Sequence, residues 1–101
     1  MAARLPFVVS AVFHYLGPAF AVLRMRPAPR QIPAVAEIAK DTPEVVECHR
    51  VTGEDCFYMK LHVRSVEHLE AVIDRFTPYG QTTTSIIQSS PVPRRGIEFE
   101  A

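Results

Sequence analysis

The chain of 101 residues has room for one domain of ordinary size. Hydrophobic residues make up 48% of it and charged residues 22%, a balance that is typical of a folded protein and excludes wholesale disorder. Eleven basic and eleven acidic residues give a formal net charge of zero, so no basic field favours stand-alone binding of nucleic acid. Two cysteines are too few for a disulfide scaffold and favour a reducing compartment, the cytoplasm.

Residues 1–17 are predicted to lead into the domain without being part of it. Their apolar stretch, residues 5–16, is shorter than the roughly 20 residues that a membrane-spanning helix needs. With Arg4 before it and small residues after it, the stretch imitates a signal peptide, but cleavage there would cut into the first apparent strand. We therefore expect neither a membrane anchor nor export.

The first half of the domain predicts a strand, a helix and a hairpin. Residues 20–26 alternate in polarity with the period of a half-buried strand, and residues 31–40 place their apolar side chains on one stripe of a helix. Residues 44–52 and 56–64 are rich in β-formers and flank a turn that contains Gly53, so they predict a hairpin.

The second half predicts a helix and a last strand. Ser65 is a suitable N-cap for a helix that runs to Phe76, and residues 81–90 form a β-prone run that Pro91 closes. The order strand-helix-strand-strand-helix-strand predicts a ferredoxin-like α+β fold, a four-stranded antiparallel sheet with both helices on one face. We place the domain at residues 18–93 and a flexible tail at residues 94–101.

The register of the hairpin determines which side chains lie on the face away from the helices. A loop with an even number of residues pairs Cys48 with Met59 beneath the helices. It also pairs Val46 with Leu61, whereas an odd loop would bury polar side chains without partners. In the even register the opposite face carries Cys56 and seven residues that we predict to form a dimer interface: Val45, Glu47, His49, Val51, Tyr58, Lys60 and His62.

This mixture of apolar and charged side chains predicts that a second copy of the chain covers the face. Large apolar groups on a sheet surface need shielding from water, and back-to-back pairing of two such sheets gives an isologous homodimer. A sheet face that is simply exposed to water is the alternative, because antiparallel sheets commonly have one solvated face.

The candidate reactive residues do not combine into a catalytic or metal site. Cys48 and Cys56 are predicted on opposite faces, which rules out a disulfide between them. Cys48 and His49 are neighbours on a strand and point apart, and His49 and His62 lack further metal ligands at suitable spacing. We therefore expect no enzyme activity, no metal and no cofactor.

Two segments have residue types that suit a small zwitterion. In residues 52–55, Gly53 allows close approach to backbone amide donors, and Asp55 can accept a hydrogen bond from an ammonium group. Residues 82–85 offer a row of hydroxyls. An ordinary turn and an ordinary strand remain the alternatives for these two segments.

Several of these segments together resemble a known family. The stretch PEVVECHRVTGEDCF at residues 43–57, its continuation KLHV at residues 60–63, and GQTTTS at residues 80–85 are similar to the effector-binding domain of the Lrp/AsnC transcription regulators. The similarity runs from about Ala19 to Pro93, in the same order of elements.

The resemblance implies a βαββαβ domain that dimerises through its sheet, assembles further into octamers and binds a small effector, typically an amino acid, between subunits. It implies a non-enzymatic module whose effector biases oligomeric state and, through it, DNA binding. By the same match the ligand-binding residues are Thr52, Gly53, Asp55, Thr83 and Ser85.

The chain departs from the family pattern in one respect, because residues 1–16 show no recognition helix of a helix-turn-helix. We therefore expect it to reach DNA only indirectly, through full-length relatives. A truncated gene product, a wrongly assigned start and a stand-alone module that acts by mixed assembly are the alternative explanations of this departure. Two alternatives are a small dimeric α+β barrel enzyme and an assembly partner of full-length regulators that binds no effector.

Overall fold

The computed structural model describes residues 18–96, so the predicted lead-in and the last part of the predicted tail lie outside the described residues. The elements are β1 Ala19–Pro27, α1 Ile32–Lys40, β2 Val45–Arg50, β3 Phe57–Val63, α2 Val66–Phe76 and β4 Gly80–Ile86, with a 3-10 turn at Thr77–Tyr79. The predicted order and the ferredoxin-like fold are confirmed. The last strand is shorter than predicted, since it ends at Ile86.

The four strands form one antiparallel sheet in the order β2-β3-β1-β4, with β1 and β3 at its centre. The prediction that β3 has one buried face is confirmed, because every second side chain of this strand is buried. The core between sheet and helices consists of Ala21, Leu23, Met25, Val35, Ala39, Phe57, Met59, Leu61, Val63, Leu69, Val72 and Phe76.

Both helices form for reasons that are visible in their sequences. In α1, a proline occupies the first turn and Val35 and Ala39 are buried. In α2, the Ser65 hydroxyl accepts a hydrogen bond from the backbone N–H of His68 at 3.1 Å, which confirms the predicted N-cap. Neither of these helices, within residues 18–96, is long and apolar enough to cross a membrane.

The hairpin register is correct over most of β2, but one part of the prediction is wrong. Cys48 pairs with Met59 as expected, yet a bulge at Val46 makes Val45 the partner of Leu61. Val45, predicted for the dimer interface, therefore packs against the core on the helix side. The physical reason is that an extra residue in one strand turns every side chain beyond it to the other face.

Cys56 also departs from its predicted position. It precedes β3 and has a φ of +63°, which breaks the regular alternation of the strand, and its side chain packs against the core. The loop between β2 and β3 is closed by a hydrogen bond from the Val51 N–H to the Cys56 carbonyl at 2.8 Å. The four residues between these two, 52–55, form the even-numbered loop that the register required.

Candidate functional site

The face of the sheet that carries no helices, called the open face below, presents side chains from all four strands. They are Phe20, Val22, Arg24 and Arg26 of β1, Glu47 and His49 of β2, Tyr58, Lys60 and His62 of β3, and Gln81, Thr83 and Ser85 of β4. Large apolar groups are exposed here: Phe20 is 45% and Tyr58 38% accessible. The Phe20 ring stacks on the His62 imidazole, with 4.4 Å between the ring centroids.

Five of the seven residues predicted for a dimer interface lie on this open face. The two exceptions are Val45, on the helix side, and Val51, which is exposed just beyond the end of β2. Glu47 joins two of the five, since its carboxylate lies 3.1 Å from His49 Nε2 and 3.8 Å from Lys60 Nζ. The hydrogen bond from His49, with a smaller contribution from the charge of Lys60, lowers the pKa of Glu47 below its ordinary value. The centre of the predicted interface is thus a charged cluster flanked by aromatic rings.

Residues 52–55 do not form an isolated turn, because two arginines of β1 hold them. Glu54 forms an ion pair with Arg26, and the Asp55 carboxylate lies 3.9 Å from the Arg24 guanidinium. Gly53 has a φ of +103°, a conformation that glycine adopts without the strain that a side chain would bring. These contacts connect the loop to β1 at the end of the open face.

Arg24 brings together residues that the sequence alone left apart. It is the antiparallel partner of Thr83 in β4, and it contacts Asp55 in the loop. Asp55 thus lies near the Arg24 guanidinium, and Thr83 is the cross-strand neighbour of the same residue. Ser85 lies opposite Val22, one pair further along the face and farther from the loop.

The residue patterns of the sequence do not identify Arg24 and Arg26 as site residues. The alternation of the first strand did place both on one side, and Glu54 and Asp55 form an acidic pair at a turn. Charge complementarity was therefore visible in the sequence. What the sequence does not specify is the conformation of the loop at residues 52–55, which brings its carboxylates to these arginines.

A second polar cluster connects the residue just before β2 to the start of α2. The Glu44 carboxylate lies 2.6 Å from His68 Nε2, and the backbone N–H of Arg64 donates to His68 Nδ1 at 2.9 Å. A neutral imidazole with its proton on Nε2 satisfies both contacts at once. The hydrogen bond from His68 is the main cause that lowers the pKa of Glu44 below its ordinary value.

This lowered pKa predicts how stability depends on pH. A carboxyl group with a lower pKa in the folded chain stabilises the fold fully above its unfolded pKa of 4.5, and the contribution is lost as the pH falls through the folded pKa. In Glu44→Gln, which does not titrate, this contribution is absent. We expect the difference in unfolding free energy between wild type and variant to shrink from about pH 5.5 to about pH 3, as measured by urea denaturation. A constant difference over that range would contradict the assignment.

The thiols and the other titratable groups form no further centre in the described part of the chain. Cys48 and Cys56 are both free, and burial raises the pKa of Cys48, so this thiol is protonated at neutral pH. Within residues 18–96, no group of three or more histidine, cysteine, aspartate or glutamate side chains is arranged to hold a metal ion.

Comparison with known proteins agrees with this architecture. The family model of the Lrp/AsnC ligand binding domain matches residues 19–97. The HTH-type transcriptional regulator LrpC of Bacillus subtilis (strain 168) is 33% identical over 54 residues, which cover 54% of this chain and 38% of LrpC. The chain thus matches well under half the length of that curated relative.

Solved structures of other proteins are similar to this chain in fold. The structure of Bacillus subtilis LrpC superposes with a TM-score of 0.70 at 22% identity, over 75% of this chain and 54% of that chain, and so supports the fold. The feast or famine regulatory protein Rv3291c from M. tuberculosis, solved in complex with L-methionine, has a TM-score of 0.58 at 27% identity, over 88% of this chain and 60% of that chain.

Proposed function

This chain belongs to the Lrp/AsnC family, and we propose that it is the effector-binding and oligomerisation module of a transcription regulator, with an amino acid or a related metabolite as effector. Two facts support an amino acid: the tuberculosis relative is complexed with L-methionine, and the loop region of this chain offers opposite charges to a zwitterion. In this function the chain binds and assembles, and performs no catalysis.

The pair formed by Arg24 and Asp55 is the observation on which the proposal depends. Its two charged groups lie 3.9 Å apart, too far for a direct hydrogen bond, and both side chains remain partly open to solvent. An α-amino acid could insert its ammonium group toward Asp55 and its carboxylate toward Arg24. Amide donors around Gly53 and the hydroxyls of Thr52 and Thr83 would complete the recognition, and Ser85 would mark the far edge of the site.

A second copy of the chain covering the open face is the other half of the proposal. Exposed aromatic rings beside a charged cluster have the composition of a protein interface, and pairing of identical faces produces a closed dimer. Dimers could assemble further into octamers. Mixed assembly with full-length relatives in the cytoplasm would give this chain its indirect influence on DNA binding.

The direct test is a thermal-shift screen of the common amino acids, combined with analytical ultracentrifugation. A ligand that binds only the folded chain raises the unfolding free energy by about 2.7 kcal/mol at a hundredfold excess over its Kd. We expect one or a few amino acids to raise the Tm and to change the sedimentation profile. A flat screen with an intact dimer would support the effector-independent assembly partner, and a flat screen with a monomer would leave the proposal without support.

Asp55→Asn should weaken binding of the active amino acid by at least about tenfold, because the ammonium group loses its charged acceptor. Isothermal titration calorimetry measures this loss. Glu54→Gln is the matched control: it makes the same chemical change at the next residue, whose partner is Arg26, and should retain most of the affinity. Equal losses in the two variants would show that general charge, and no specific contact, accounts for binding.

A further inference from the structure

We propose that the cleft between α1 and β2 is a second ligand site, which takes a small carboxylic acid with an apolar body. The cleft has a volume of about 360 Å³ and lies on the helix side of the sheet. Its size falls within the range of small-molecule sites in proteins. Most residues that line it are apolar, and the lining also includes one cationic side chain from each of the two elements.

The cleft exists because the helices leave the outer strand partly uncovered. β2 is the edge of the sheet, and Cys48 remains exposed although it shares a side with the buried Met59. On the opposing wall α1 contributes Ala36 and Ala39, whose short side chains do not reach across. The gap between helix and strand is therefore left unfilled.

The bulge in β2 adds apolar surface to this gap. It turns Val45 toward the core, while Val46 lines the cleft and remains 50% accessible to solvent. Bulges frequently redirect side chains next to functional sites. An isolated apolar side chain of this size would gain from being covered by the body of a ligand.

Two cations determine the kind of head group that the cleft favours. Lys40 lies at the end of α1, and Arg50 lies at the end of β2 with its guanidinium 5.3 Å from the centroid of the Phe57 ring. Lys40 contacts the Glu37 carboxylate at 3.1 Å, but both groups are well exposed, so the pair is weak and can exchange partners. Either cation could therefore pair with a ligand carboxylate.

Glu37 competes with a ligand only through its weak pair with Lys40, and the lining of the cleft contributes one further carboxylate. Glu47 lines it, but its carboxylate is engaged by His49 and Lys60 on the open face. The Cys48 thiol is neutral at pH 7, because an ordinary thiol is protonated there and partial desolvation raises the pKa of this one further. Arg50 and Lys40 are therefore the charged groups that remain available to a ligand. They favour a simple carboxylate over a zwitterion, whose ammonium group they would repel, and the site is distinct from the one at Asp55.

The test is a titration of the ¹⁵N-labelled chain with 3-phenylpropionate, followed by ¹H–¹⁵N NMR spectra. We expect saturable shifts of the backbone amides of Ala36, Ala39 and Cys48. The isosteric neutral 3-phenylpropionamide should bind about tenfold more weakly, and the cation 3-phenylpropylamine should not bind there. An absence of saturable shifts at these amides, or equal binding of the acid and the amine, would overturn the proposal.

Arg50→Gln should weaken binding of 3-phenylpropionate about tenfold, because a charged hydrogen-bond donor is lost. Arg64→Gln is the matched control, since Arg64 follows β3, is exposed, and does not line the cleft. Unchanged affinity in Arg50→Gln, or an equal loss in both variants, would remove Arg50 from the site and overturn the proposal. Because Arg50 is exposed on an edge strand, we expect the variant to fold.

Discussion

Gly80→Ala should lower the unfolding free energy by roughly 3 kcal/mol, a large share of the stability of a small domain. Gly80 begins β4 beside the end of β1, and an added Cβ would stand 2.7 Å from Pro27 Cα and 2.9 Å from Ala28 N, with the carbonyl oxygen of Arg26 closer still. All three are backbone atoms, so no side-chain rotation can relieve the overlap. Urea denaturation followed by circular dichroism measures the loss.

Gly96 and Gly53 provide the controls for this prediction. Gly96→Ala should be nearly neutral, because an added Cβ there meets nothing within 4 Å. Gly53→Ala also has open space but a φ of +103°, so it should cost about 1 kcal/mol through backbone strain alone. A loss of unfolding free energy in Gly80→Ala as small as that in Gly96→Ala would contradict the prediction. It would mean that the backbone where β1 meets β4 can shift to accommodate the added Cβ.

Tyr58→Lys should raise the dissociation constant of the proposed homodimer at least roughly a hundredfold. Tyr58 lies on the open face between Arg24 and His49 in the neighbouring strands. In the dimer each protomer would have to bury an added ammonium group near existing cations, and an unpaired buried charge costs several kcal/mol. Sedimentation velocity over a range of concentrations measures the constant.

Ala71→Lys is the matched control for the dimer prediction. It adds the same charge on the exposed surface of α2, away from the open face, and should leave dimerisation unchanged. Both variants should unfold close to wild type as monomers, because position 58 is already 38% accessible and position 71 is exposed. A dimer that persists in Tyr58→Lys would place the interface elsewhere on the chain.

The sequence predicted those parts of the fold that depend on neighbouring residues. The alternation of Phe57, Met59, Leu61 and Val63 matches a strand with one buried face, and all four side chains are buried. The Ser65 cap is equally local, since its hydroxyl bonds a backbone N–H three residues ahead. Patterns of this range are sufficient to establish the element order, and with it the fold.

The errors arose where local sequence does not distinguish two geometries. Val45 and Val46 are both apolar, so either could face the core, and the bulge that decides between them leaves no trace in polarity. Cys56 leaves the strand geometry through a positive φ that is uncommon for any residue except glycine, asparagine and aspartate.

The sequence predicts only some residues of the candidate site, and the reason is different. Residue type and family resemblance predict Asp55 and Thr83 but not Arg24, which is the cross-strand neighbour of Thr83 and lies near Asp55. The approach of Asp55 to Arg24 depends on the conformation of the loop between β2 and β3, which local polarity does not determine. The cleft beside Arg50 depends in the same way on where α1 lies over the sheet, which no sequence pattern specifies.

The bulge at Val46 has a consequence for how copies of the chain can meet. β2 is an edge strand of the sheet. An edge strand with regularly spaced backbone N–H and C=O groups can pair with a strand of another copy, and repeated pairing of this kind builds fibrils. The extra residue disturbs that spacing, so an incoming strand would forfeit part of its hydrogen-bond ladder. Fibril-like growth along this edge is thereby discouraged, while closed assembly through flat surfaces is left unhindered.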